Sequence, residues 1–172
     1  MEKIADELWV VDGPMKFFGL DLGTRMTVAR LGGDLWICSP IRLTPAYVKA
    51  FPEAEVLCSP GLARKRKDIA WTRTIDTTES WADAVQGLRI GGMPVLDELV
   101  FLHTPSQTLI VADLLVNWHS RGSKLTDVVM RLDGVAGAPQ VSRIFRAFGV
   151  RDRATLRRAV DQIDAWSPDQ LI

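Results

Sequence analysis

The sequence is poor in several of the residues that most readily announce a function. It has two cysteines, two histidines and one tyrosine in 172 residues. Cys38 and Cys58 are too few and too far apart for a disulfide-stapled secreted module or a paired-cysteine zinc knuckle, so both read as buried thiols. Net charge is also missing, since 21 basic side chains balance 21 acidic ones. This balance removes the electrostatic basis for binding nucleic acid or an anionic membrane surface. No window approaches the roughly 20 apolar residues of a membrane span. A charged opening, Met1-Glu2-Lys3-Ile4-Ala5-Asp6-Glu7, does not read as a secretory leader, so a soluble cytoplasmic protein is expected. A glycine-rich phosphate loop, a nucleophile elbow and a paired-carboxylate glycosidase pattern are absent as well.

What the sequence does contain is apolar material for one core, and 1–172 is read as a single domain. Leu8 to Val11, Phe17 to Leu22, Arg25 to Leu31 and Leu35 to Ser39 are short β-branched and aromatic runs separated by glycine-containing turns, a pattern that predicts antiparallel sheet. Thr44 and Pro45 open a short helix to Phe51. Glu55 to Cys58 is a brief strand, and Ser59-Pro60 starts a second short helix. Residues 72–86 read as an irregular connection. Strands resume over Gly87 to Ile90, Glu98 to His103 and Thr108 to Asp113, the last two joined by Thr104-Pro105-Ser106-Gln107. From Leu125 the apolar spacing turns helical, first over Leu125 to Leu132, then Val141 to Phe148. Last comes Arg153 to Trp166 with Asp152 as cap, where Leu156, Ala159, Val160, Ile163 and Trp166 form one stripe. The helices after Leu125 offer a surface for a partner, for example in a homodimer. The basic run Arg64 to Lys67 reads as a solvated face.

The chemistry concentrates in Leu99-Val100-Phe101-Leu102-His103-Thr104-Pro105-Ser106 and Thr108-Leu109-Ile110-Val111-Ala112-Asp113. A histidine and an aspartate ending adjacent strands can serve one metal, with water in an open coordination position. These segments resemble two motifs of the metallo-β-lactamase superfamily: a His-Thr-Pro turn that supplies a metal-binding histidine, and a strand ending in a metal-bridging aspartate. The opening sheet, the run Leu35-Trp36-Ile37-Cys38-Ser39-Pro40 leading into Leu43-Thr44-Pro45, and the elements Phe51-Pro52 and Ser59-Pro60-Gly61-Leu62 are similar to an uncharacterised branch of that superfamily. The resemblance implies an α+β fold, the αββα four-layer sandwich. It also implies a metal-dependent hydrolase of ester, amide, thioester or phosphoester bonds in a small-molecule substrate, with Zn or Fe as cofactor and His103 and Asp113 as metal ligands. Trp118 and His119 are the candidates for a substrate pocket.

Two departures from the superfamily pattern stand beside the matches. The first ligand cluster, expected between the Thr44 helix and Phe51-Pro52, has only residues 46–50 in its place. The closing histidine, expected after Ile172, is not reached. A non-catalytic binding domain that keeps the scaffold and has lost the metal site is therefore the alternative expectation.

Overall fold

The computed structural model describes residues 1–17, 19–39, 44–120 and 122–172. Phe18 of the expected Phe17 to Leu22 strand, residues 40–43 of the Ser-Pro to Leu-Thr-Pro segment, and Arg121 lie outside the described residues. In chain order the strands are β1 (Glu2–Ala5), β2 (Leu8–Gly13), β3 (Lys16–Phe17), β4 (Leu20–Asp21), β5 (Thr24–Leu31) and β6 (Asp34–Cys38). Helix α1 (Thr44–Ala50), β7 (Leu57–Cys58), α2 (Pro60–Lys65), β8 (Arg73–Thr74), β9 (Glu79–Trp81), β10 (Val85–Arg89), β11 (Leu99–His103) and β12 (Thr108–Ile110) follow. The chain continues through α3 (Lys124–Asp133) and α4 (Arg153–Trp166) to β13 (Gln170–Leu171).

Two sheets carry the architecture. The first has the order β1-β2-β5-β6 and is antiparallel throughout, with Leu8 opposite Ala29 and Val28 opposite Ile37. The turn from β5 to β6 passes through Gly32 at φ 64°, a left-handed conformation that a side chain would strain. The second sheet has the order β13-β12-β11-β10-β9 and is antiparallel except at β13, which runs parallel to β12.

Side chains alternate across a strand, and β11 uses both of its faces. Phe101 joins Leu8, Ala29, Val85 and Ile110 in a core drawn from both sheets, bordered by Trp36, Trp81 and Ile172. The Trp36 and Phe101 rings meet edge to face, with centroids 4.8 Å apart. Val100 points the other way, into a second core with Ile90, Met93, Leu114 and Ala159, closed by Leu156, Ile163 and Trp166 of α4. Sheet faces sheet, and α4 covers the far side of the second sheet. Helix α3 meets the small β3–β4 hairpin that projects between β2 and β5. The architecture is α+β.

The structure departs from the sequence reading in small elements. β1 is an additional edge strand, β3 and β4 form a separate hairpin, and the connection over 72–86 contains β8 and β9. Between Val141 and Phe148 the expected helix is a single wide turn over Phe145–Gly149. No helix among the described residues is long and apolar enough to cross a membrane.

Candidate functional site

The β11–β12 hairpin positions both residues that the sequence analysis offers as metal ligands, and its register separates them. Phe101 pairs with Ile110, Leu102 with Leu109 and His103 with Thr108, so His103 lies at the turn. Continued in the same register, Asp113 falls opposite Glu98, at the open end of the hairpin. Asp113 lies three residues past the end of β12, where its N–H donates to the Glu98 side chain. His103 thus stands at the turn, while Asp113 stands beside Glu98, just before the start of β11. Two strands joined by a short turn bring together the residues flanking the turn, whereas the far end of the second strand meets the start of the first.

His103 is fully buried. Its Nδ1 shares a 2.7 Å hydrogen bond with the Ser106 hydroxyl, which is itself 2.7 Å from the Thr108 hydroxyl. The Nε2 atom lies in the interior without a partner among the described residues, and desolvation lowers the pKa of the ring. These contacts make His103 a neutral interior residue that braces the hairpin turn. The same turn holds the C-terminal segment, because the Gln107 carbonyl accepts from the Asp169 N–H.

Three carboxylates gather at the opposite end. Asp113 is exposed to solvent, yet desolvation by the surrounding protein raises its pKa. Just before β11 stand Asp97 and Glu98, each 7% exposed. Glu98 accepts hydrogen bonds from the N–H groups of Ala112 at 2.7 Å and Asp113 at 2.9 Å. Burial, opposed by these bonds and reinforced by the nearby Asp113 charge, pushes the Glu98 pKa up to about 7. Asp97 turns the other way. Its Oδ1 accepts from Arg89 Nε at 2.8 Å, and its Oδ2 accepts from the Gly61 N–H at the start of α2. Desolvation works against ionisation there, but the bonds from Arg89, Gly61 and the Ser59 hydroxyl prevail and hold the Asp97 pKa below its ordinary value.

Cys38, at the end of β6, belongs to the same region. Burial pushes its thiol up to about 11, and the Glu98 charge adds to the effect, so it is a protonated thiol at neutral pH. The sequence reading placed Glu98 at the start of a strand, with no site role for it or for Asp97. The signal that could have found them is their place, two consecutive acids directly ahead of the apolar run Leu99 to Leu102, where burial obliges each to find donors.

The pocket candidates lie on another segment. Trp118 is 8% exposed, and its indole N–H donates to Asp127 Oδ1 at 2.9 Å. Because the Ser120 hydroxyl donates to the other oxygen of Asp127 at 2.6 Å, this loop is tied to the first turn of α3. His119 is exposed beside it. The polar edge of Trp118 is thus engaged within the protein.

The donor set decides how far a metal fits. Asp113 offers one carboxylate: among the described residues nothing hydrogen-bonds to its oxygens, and Glu98 stands beside it. Among the described residues, no group of three or more His, Cys, Asp or Glu side chains stands close enough to hold an ion. They fall short of the three protein ligands usual for a catalytic metal.

No family model matches the sequence, and no curated protein matches it. Solved structures match the fold. The chain is similar to the DIM-1 metallo-β-lactamase, with 14% identity, TM-score 0.55 and 95% of each chain covered. It is also similar to the metallo-β-lactamase IND-7, with 10% identity, TM-score 0.56, and 100% of this chain and 87% of that one covered. For a metallo-β-lactamase from Pontibacter korlensis the identity is 12% and the TM-score 0.53, with 94% and 97% covered. Together with the two facing sheets and the covering α4, these likenesses define the class: the chain has the metallo-β-lactamase fold.

Proposed function

We propose that the protein is a hydrolase of the metal-dependent type, acting on a small molecule with an ester, amide, thioester or phosphoester bond, and that its reaction centre is the Asp113 end of the second sheet. The observation that carries this reading is the Asp113 carboxylate, its oxygens without a hydrogen-bond partner among the described residues, just beyond β12 in a chain with the metallo-β-lactamase fold. A Zn or Fe ion held there would supply an activated water. Asp113 is the side chain of this chain that would face the ion, and we assign Trp118 and His119 to the border of the substrate cleft. His103 is left out of the ligand set.

A second reading has its own support. The lack of a three-ligand group among the described residues favours a binding domain that keeps the scaffold without a metal. Elemental analysis of the purified wild-type protein and of Asp113→Ala, with a panel of chromogenic esters, thioesters, amides and phosphoesters, separates the two. The hydrolase reading expects about one or two equivalents of Zn or Fe, lost in Asp113→Ala together with turnover and kept in His103→Asn. A wild-type protein that holds no Zn or Fe after expression with both supplied, and turns over nothing in the panel, sinks it in favour of the binding domain.

A further inference from the structure

A net charge of zero conceals an uneven distribution. Residues 143–158 hold six of the 21 basic side chains, Arg143, Arg146, Arg151, Arg153, Arg157 and Arg158, and one of the 21 acidic ones, Asp152. All six arginines are exposed. Among the described residues only Arg157 of the six has an ion-pair partner, Asp161 at 3.1 Å. The one acid is engaged as the cap of α4. The compensating negative charge lies elsewhere in the chain, so the potential over this stretch is positive.

The same stretch turns apolar side chains to solvent. Phe148 is 75% exposed and Ile144 58%, whereas Phe145 between them packs into the core beneath α4. The apolar strip continues onto α3. The Ile144 N–H donates to Asp133 Oδ1 at 3.0 Å and Arg143 Nη1 donates to the Leu132 carbonyl at 3.3 Å, which seats this turn against the end of that helix. On α3 itself Leu125, Val128 and Leu132 share one face, and each is more than half exposed. Single exposed apolar residues are ordinary, but a strip of five bordered by arginines marks a contact surface.

Charge and shape choose its occupant. A second copy packed on the same face about a two-fold axis brings the arginines of both copies together, a repulsive arrangement. Nucleic acid answers the arginines but leaves Leu125, Val128, Leu132, Ile144 and Phe148 in water. A partner helix lies in a groove, whereas these side chains project. An anionic bilayer surface satisfies both features, since its phosphates meet the arginines and its acyl boundary takes projecting apolar side chains to a depth of about 5 to 10 Å.

We infer that the face formed by α3 and the turn over Phe145–Gly149, with the arginines around the start of α4, docks reversibly on an anionic lipid surface. Phe148 and Leu132 enter the headgroup boundary, and Arg146, Arg151 and Arg153 meet lipid phosphates. This inference stands apart from the hydrolase reading and holds or fails without it.

Co-sedimentation of the full-length protein with vesicles of phosphatidylcholine alone, or of equal parts phosphatidylcholine and phosphatidylglycerol, tests it, with soluble polyglutamate as a lipid-free polyanion. Binding is expected to the mixed vesicles only, and it should be lost near 1 M salt, where screening acts within about 3 Å. Arg146→Ser and Arg151→Ser should each weaken it about 5-fold. Phe148→Ser should weaken it by about 10-fold. Leu35→Ser, which removes a similarly exposed leucine from β6, should bind as the wild type does. All these positions are exposed, so thermal unfolding of the variants should match the wild type. A wild type that ignores the mixed vesicles, or binds both kinds equally, overturns the inference. If the arginine variants weaken vesicle and polyglutamate binding alike while Phe148→Ser changes neither, the patch serves an acidic macromolecule and the inference is overturned. A lipid-free dimer that Phe148→Ser disperses assigns the face to a second copy, with the same result.

Discussion

Three carboxylates within the same end of the sandwich ionise differently, because each faces a different balance of donors and desolvation. Asp97, with an arginine and a backbone donor, stays charged below its ordinary range. Glu98, with backbone donors alone, is pushed up to about 7 from its ordinary 4.5. Since the folded-state pKa lies above the unfolded one, folding binds the Glu98 proton more tightly. The associated stability is present in full below pH 4.5 and is lost as pH rises through about 7. For the metal-free wild type we expect the unfolding free energy to decline across this window, with Glu98 contributing up to about 3 kcal/mol. Denaturant titrations at pH 4.5, 6 and 7.5 check this, and Glu98→Gln should flatten the decline. A wild type as stable at pH 7.5 as at pH 4.5 would contradict it. The Asp97 contribution runs in the opposite direction and in a lower window, below its ordinary 3.8.

At the scale of elements, α4 shows what sequence periodicity can reach. The stripe Leu156, Ala159, Val160, Ile163 and Trp166 predicts a helix over Arg153 to Trp166 with Asp152 as cap; those are the limits and the cap observed, and of the stripe only Val160 turns to solvent. Asp152 accepts from the N–H groups of Ala154 and Thr155 and from the Thr155 hydroxyl. Asp152→Ala should lower stability by about 1 to 2 kcal/mol in thermal or denaturant unfolding, and Asp152→Asn by much less. The helix is also seated from outside, since the Gly92 carbonyl accepts from the N–H groups of Arg151 and Asp152. Gly92 has φ 82°, and a Cβ there would lie 2.2 Å from the Asp152 carbonyl oxygen, a backbone atom with no freedom to withdraw. Gly92→Ala should therefore be destabilising by about 2 to 5 kcal/mol. Gly33→Ala, at a turn with open space around it, should shift stability by only a few tenths. Equal effects of the two alanines would show that the seat of α4 on Gly92 does not matter.

The whole molecule explains which features were legible in the sequence. Local signals sufficed for β2, β5, β6, α2 and α4, and the resemblance carried by the hairpin segments and the Ser59-Pro60-Gly61-Leu62 element pointed to the fold that the solved structures share. β13 is two residues long and exists as a strand only because β12 lies beside it. Glu98 reads as an ordinary surface acid until the core buries it. His103 shows the sharpest limit: its motif is local, but what it stands beside depends on hairpin register, which sets it at the turn opposite Thr108. The same strand has a further consequence. In β11 every residue from Val100 to His103 is buried, because the strand is the wall common to both cores. Most strands of an antiparallel sheet have one face on which sequence can drift. This one has none, so in any set of natural variants the segment around His103 should change least, for reasons of packing alone, and a histidine kept invariant there would be no sign of chemistry.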